Sequence, residues 1–209
     1  MDLGTGDGRH VLARAAVTPD ELVVGVDANA SAMADASRRA ARSRLSNAIF
    51  VAADAAGLPD GLAGFADLVT IHFPWGSLLH GAASADPRLT RLLAPGGRLR
   101  LLLSASPVDA RAGLENLDPE AIECAYRSAG LDIVASRPAS FDDAAAAHSS
   151  WGKRLMRKAG TDRNAWLLEA AAAGDAAAAA LSHQVYAAAA RRSPPRQPAR
   201  GRSSRCRPA

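Results

Sequence analysis

The sequence predicts an α/β fold: a mostly parallel, doubly wound sheet with helices between its strands. Short runs of apolar β-formers alternate along the chain with longer helix-forming segments. A glycine-rich loop opens the chain, and an aspartate closes the next apolar run. In open sheets of this kind, ligands bind outside the carboxyl ends of the strands, near the point where the strand order reverses.

The elements follow in order. LVVGVDA (22–28) is apolar and β-branched, as a buried strand requires. SAMADASRRAARSRL (31–45) has helix-forming composition, with Ser31 placed to cap it. AIFVAADA (48–55), DLVTIHF (67–73) and GRLRLLL (97–103) read as strands. DPEAIECAYRSAG (118–130) is a helix with a glycine stop, and LDIVASR (131–137) a strand. Asp142 and Asp143 mark a helix start. RNAWLLEA (163–170) reads as a last strand, with a helix as the alternative. Residues 1–170 form the folded domain, 171–190 are alanine-rich and helix-prone, and 191–209 have the Pro/Arg/Ser composition of a disordered tail. A glycine loop such as the one at the start normally follows the central strand. Only three residues precede it here. The expectation is a seven-stranded sheet without its first strand, from a chain incomplete at its N-terminus. Such a gap would leave the edges of two strands unpaired, at a cost.

Charge narrows the partners. Net charge is +4 over 209 residues, but seven of the 25 basic residues lie in 191–209, which holds no acid. The rest carries 18 basic against 21 acidic groups, so nucleic-acid binding by the body must rest on local patches. Cys124 and Cys206 have no metal-ligand spacing, which implies a reducing, cytoplasmic setting without disulfides. No signal peptide or membrane span is evident, because the 170–190 stretch is only weakly apolar and carries Asp175, His183 and Gln184.

DLGTGDGRH places glycines at 4, 6 and 8. The dinucleotide fingerprint would need its third glycine at position 9, which is Arg9, so a nicotinamide dehydrogenase is disfavoured. The spacing, with Asp2 ahead of it, resembles motif I of the Rossmann-like class I S-adenosylmethionine (SAM) methyltransferases. That resemblance implies that Asp2, Gly4, Gly6 and Gly8 cradle SAM. Asp27, at the end of the next strand, would accept the ribose hydroxyls, and Ala53 and Asp54 would flank the adenine of the cofactor.

Two further stretches narrow the family. FPWGSLL (73–79) follows a strand, and HSSWGKRL (148–155) sets a second Trp-Gly among hydroxyls and positive charge. Aromatic residues make up only 4% of the chain, so a tryptophan in polar loop sequence is informative. Together with LLAPGGRLRLLLS and GVDANASAMADASRRAAR, these stretches are similar to the aminoglycoside-resistance 16S rRNA (adenine-1408-N1)-methyltransferases, over roughly residues 2–170. The resemblance implies methylation of N1 of a flipped adenine in the decoding site of the assembled 30S subunit. Trp75 and Trp151 would sandwich the base beside Phe73 and Pro74. Ser149 would position the second tryptophan and the cofactor. Arg154, with Lys153 beside it, would meet rRNA phosphate, and Arg157 and Lys158 extend the patch. Trp166, in a strand-like run, reads as core. Arg38, Arg39, Arg42 and Arg44 are either a solvated helix face or a docking surface for rRNA.

The chemistry agrees with these residue types. Adenine N1 is unreachable inside a stack, so the base must be extruded, at roughly a few kcal/mol. Stacking on an aromatic side chain returns about 1–3 kcal/mol per base. The N1 lone pair lies in the ring plane and needs no deprotonation, so the reaction calls for neither metal nor strong base. A monomer acting by orientation suffices. Two readings remain beside it: a small-molecule methyltransferase, which would need a closed apolar lid, and a non-catalytic RNA-binding relative.

Overall fold

The computed structural model describes residues 1–104, 118–149, 152 and 165–174. Seven strands form one sheet: β1 (Asp2–Leu3), β2 (Val23–Asp27), β3 (Ala48–Ala52), β4 (Ala66–His72), β5 (Leu93–Ser104), β6 (Leu131–Pro138) and β7 (Ala165–Ala172). Their order is β3-β2-β1-β4-β5-β7-β6. All pairings are parallel except those of β7 with β5 and β6. The chain reverses its winding across β1 and β4, and the glycine loop opens at that switch point.

The expected absence of the first strand is corrected here. Asp2 and Leu3 occupy the central place, pairing with Gly25 and Val26 on one side and with Thr70 and Ile71 on the other. The Met1 amino group donates to the Leu68 carbonyl at 2.6 Å, and the Met1 carbonyl accepts from the Thr70 amide at 2.9 Å. The strand was hard to read because two residues are too few for any alternation to show.

The helices are α1 (Arg9–Val17), α2 (Ala30–Arg42), α3 (Gly76–Ala83), α4 (Pro87–Thr90), α5 (Pro119–Ser128) and α6 (Phe141–Ala146). Helix α1 was not anticipated, since it follows directly from the glycine loop and has no side-chain cap. Helix α2 is capped by Asn29, whose side chain accepts from the Ala32 amide, while the Ser31 hydroxyl bonds that same side chain. Asp118 caps α5 through the amides of Glu120 and Ala121. Gly130, at φ 82°, ends that segment as expected. The 163–170 run resolves in favour of the strand, which continues to Ala172. Of the Ala-rich and Arg-rich segments, only residues 171–174 fall among those described.

The two faces of the sheet differ. Leu3, Ile71, Leu101 and Leu168 stand in register across four strands, and all are fully buried. They pack on one side with Leu79, Leu89, Ile122 and Tyr126 from α3, α4 and α5. One step along the register lie Asp2, Thr70, Arg100 and, on the antiparallel β7, Glu169, a polar row on the opposite face. Side chains alternate across a strand, so a one-residue offset separates the two environments. Thr70 Oγ1 donates to Asp2 Oδ1 at 2.6 Å, and Arg100 pairs with Glu169 and Asp143. A cavity of about 820 Å³ opens against this polar face and the first residues of β2 and β4.

Gly8 shows why the loop is glycine-rich on the packing side. At φ 66°, it lies so close to α2 and β3 that a Cβ would stand 2.5 Å from Ala36 Cβ and 2.6 Å from Phe50 Cε1. Gly8→Ala combines left-handed strain with overpacking. It is expected to cost about 2–4 kcal/mol, measured as a shift in the urea midpoint at constant slope.

Candidate active site at the carboxyl ends of the strands

The loops that follow β1, β2, β3 and β4 converge on one mouth. The glycine loop is tied to the end of β2 by the amides of Gly4 and Thr5, which both donate to the Val26 carbonyl at 2.8 and 3.0 Å. The Asp27 carboxylate accepts from the Gly6 amide at 2.8 Å and from the Asn29 amide at 2.8 Å. Asp27 thus holds the loop open at the end of its strand and retains lone pairs for hydroxyl donors. Ala53 is joined to Asp27 through its amide at 3.0 Å, and Asp54 caps the short turn after β3.

The residues present fit a nucleoside-type ligand such as SAM. At Gly6, with φ 57°, a Cβ would meet nothing within 4 Å, so the turn is bare backbone facing open space. Such a backbone can approach a ligand closely. Asp27 bonds this turn through its carboxylate, and the Ala53 amide, next to Asp54, bonds Asp27 in turn. Asp2 lies deeper: its carboxylate is buried in the polar row and occupied by Thr70, away from the mouth. The lone sequence feature that could have signalled this is Thr70, two residues before the end of β4.

Phe73, Pro74 and Trp75 form the link from β4 to α3, whose first residue is Gly76. Phe73 sits at φ 52°, in the left-handed region that a bulky residue rarely enters. Its amide donates to the Leu102 carbonyl at 2.7 Å, and its ring is buried against Leu102, Ala144, Ala147 and Leu167. This anchoring pays for the strain. It also turns the chain so that Pro74 stays buried and Trp75 emerges 83% exposed. An indole so exposed contributes almost nothing to folding and is available to a partner.

The second tryptophan motif meets the first. Gly152 lies against the Phe73 ring, where a Cβ would stand 2.8 Å from Cε2. The Gly152 amide donates to Ser149 Oγ at 3.2 Å. Trp151, Lys153, Arg154, Arg157 and Lys158 lie outside the described residues. Gly152→Ala is expected to push its segment off Phe73 and lower methyl transfer by roughly 10- to 100-fold with cofactor affinity retained. Steady-state kinetics beside calorimetric titration of the cofactor would check this.

A buried ion network holds α6, and with it Ser149 and Gly152, against the sheet. Arg100 Nη2 donates to Asp143 Oδ1 at 2.9 Å, and Arg137 Nη1 to Asp143 Oδ2 at 2.7 Å. Ser140 and Asp143 also form a reciprocal capping box. Burial alone would raise the Asp143 pKa; Arg137 and Ser140 overcome it and hold the carboxyl well below the usual carboxylate range. Sequence reading placed Asp143 at a helix start but missed this hub, although the Ser140-x-x-Asp143 spacing signals the cap. Trp166 lies on β7 as expected but is half-buried rather than part of the core, and its indole donates to Ser136 Oγ at 2.9 Å. Arg38, Arg39, Arg42 and Arg44 are exposed, with Arg38 paired to Asp35.

Comparison with known proteins agrees with this geometry. Residues 1–172 match the family model described as NpmA, 16S rRNA (adenine(1408)-N(1))-methyltransferase. A 16S rRNA (adenine(1408)-N(1))-methyltransferase of Streptoalloteichus hindustanus is 32% identical over 171 residues, covering 74% of this chain and 79% of that protein. The crystal structure of the aminoglycoside resistance methyltransferase NpmB1 is 37% identical at a TM-score of 0.66, covering 82% of this chain and 85% of that one. That of the 16S rRNA methyltransferase KamB is 26% identical at a TM-score of 0.70, covering 82% and 86%. With a family model matching residues 1–172 and a relative 32% identical over 171 residues, the chain belongs to the 16S rRNA (adenine(1408)-N(1))-methyltransferase family.

Proposed function

We propose that the chain methylates N1 of adenine 1408 in 16S rRNA within the assembled 30S subunit, as a monomer, and so confers aminoglycoside resistance. The observation that supports this reading is the contact of Gly152, from the second Trp-Gly motif, with the ring of Phe73, whose strained turn presents Trp75. S-adenosylmethionine, when bound, supplies an electrophilic methyl group on a sulfonium. Gly4, Gly6, Gly8, Asp27, Ala53 and Asp54 would hold it, with Ser149 reaching from the second motif. Asp2 supports the loop from beneath.

Trp75 and Trp151 stack on the two faces of the extruded adenine and hold N1 in line with the methyl group. The N1 lone pair forms the new bond as the sulfonium carbon–sulfur bond breaks, and the sulfur keeps that electron pair. The base becomes cationic without losing a proton. Indole faces stabilise such a cation, as do carbonyls near Phe73 and Pro74. No side chain has to remove a proton. Lys153, Arg154, Arg157 and Lys158 bind rRNA phosphate in this reading, and the arginines of 191–209 add salt-sensitive affinity.

The test is transfer of a labelled methyl group from SAM by the full chain to three acceptors: intact 30S subunits, protein-free 16S rRNA and 50S subunits. Label entering 30S subunits well above the other two is the expected result. Equal labelling of protein-free rRNA would refute the subunit requirement, and no label in any acceptor would refute the activity.

A further inference from the structure

We propose that Asp2, His10 and His72 form a binding site for one divalent transition-metal ion of the zinc class, beneath the glycine loop. The three residues come from β1, α1 and β4, and their ligand atoms all lie within 4.8 Å of one another. Both rings are more than nine-tenths buried. Neither nitrogen of His10, and neither of His72, has a hydrogen-bond partner among the described residues. Four orphaned imidazole nitrogens in one interior cluster require an explanation, because buried polar atoms are almost always satisfied.

The donor set suits the ion. Two imidazoles and a carboxylate are ligands of the zinc class, with metal–ligand bonds of about 2.0–2.2 Å. His72 Nδ1 stands 3.7 Å from Asp2 Oδ1, close to the separation of two ligands on one tetrahedral ion. The rings meet edge to face, with centroids 4.6 Å apart, so their nitrogens converge without stacking. Thr70 donates to the Asp2 carboxylate at 2.6 Å and fixes its orientation, as outer partners of metal ligands do. Burial, first of all, lowers the pKa of both histidines, which keeps their lone pairs free at neutral pH. The cavity against the polar face is lined by Asp2 and His10, and it gives the ion a path and a water for its fourth position. Arg14, Arg100 and His148 act on the cluster as positive or polar neighbours, so affinity will fall short of a closed four-ligand site. His10 stands two residues after Gly8, and His72 directly precedes Phe73. An ion there would clamp the cofactor loop to the tryptophan loop.

The experiment is titration of the full, chelator-treated chain with Co²⁺, followed by visible absorption, then displacement by Zn²⁺ with thermal unfolding as a second readout. Expected are ligand-field bands saturating at one equivalent, their loss on Zn²⁺ addition and a Zn²⁺-dependent rise in Tm. His10→Gln and His72→Asn should each weaken binding by at least roughly tenfold, whereas Cys124→Ser and Cys206→Ser should leave it unchanged. If the histidine variants fail to fold, X-ray absorption on the cobalt-loaded wild type decides: two imidazoles and oxygen support the site. A sulfur ligand, or fewer than two imidazoles, overturns it. Absence of both bands and Tm shift in the wild type also overturns it, as does undiminished binding in folded histidine variants.

Discussion

Trp75→Ala is expected to lower kcat/KM for methyl transfer by roughly 5- to 150-fold while leaving Tm almost unchanged. The magnitude follows from stacking, worth about 1–3 kcal/mol per base, with tenfold in rate for each ~1.4 kcal/mol. The small stability effect follows from the 83% exposure of the side chain; removing it costs at most about 0.5 kcal/mol. Trp75→Phe should retain part of the activity, since it keeps a flat ring on the same strained turn. Cofactor affinity, measured by calorimetry, should be the same in all three proteins. Full activity in Trp75→Ala would remove the stacking argument. Loss of cofactor affinity would instead place the indole at the SAM site.

Asp143→Ala is expected to be among the most destabilising single changes, at about 3–5 kcal/mol. Asp143 and Arg100 have side chains that are only 9% and 10% exposed, so the substitution takes from a buried guanidinium one of the carboxylates that compensate its charge. It also removes the partner of Arg137 and the capping box of α6. Denaturant unfolding measures the loss. Replacing Arg100, Asp143 and Glu169 together with apolar residues should cost less than Asp143→Ala alone, because the buried guanidinium is removed along with both of its carboxylates. The pH dependence has a definite sign. The folded pKa of Asp143 is depressed, so the unfolded chain takes up the proton first as pH falls. This stabilisation is complete above the ordinary carboxylate value of about 4 and is lost progressively below it. The acid limb of the stability profile should be shallower in Asp143→Asn. An unchanged acid limb would mean that the carboxylate is not charged in the folded protein.

The parts of the fold that were legible are those whose physics is local. Six strands could be read because each buries a continuous or alternating apolar run. The Gly-Thr-Gly-Asp-Gly loop could be read because its backbone conformations admit little else. The short β1 could not, since two residues carry no period. Helix α1 escaped because it starts from a glycine and lacks a polar cap. At the site, Trp75 was legible as a large apolar side chain in a turn, and it is exposed as a partner-binding residue should be. The strain at Phe73 and the contact with Gly152 were not, because they depend on how α6 docks on β5 and β7. The polar row Asp2, Thr70, Arg100 and Glu169 is likewise a product of register. No stretch of sequence shows that four residues from four strands stand side by side.

The most direct test of the central claim is to locate the methyl group. Subunits treated with the full chain and SAM would be probed by reverse transcription across the decoding site. Methylation at N1 blocks the Watson–Crick edge, so a single stop at adenine 1408 is predicted, absent when SAM is omitted. A stop at another nucleotide, or incorporated label without any stop, would contradict the account, because the methyl group would then lie on a different base or on an atom outside the pairing edge.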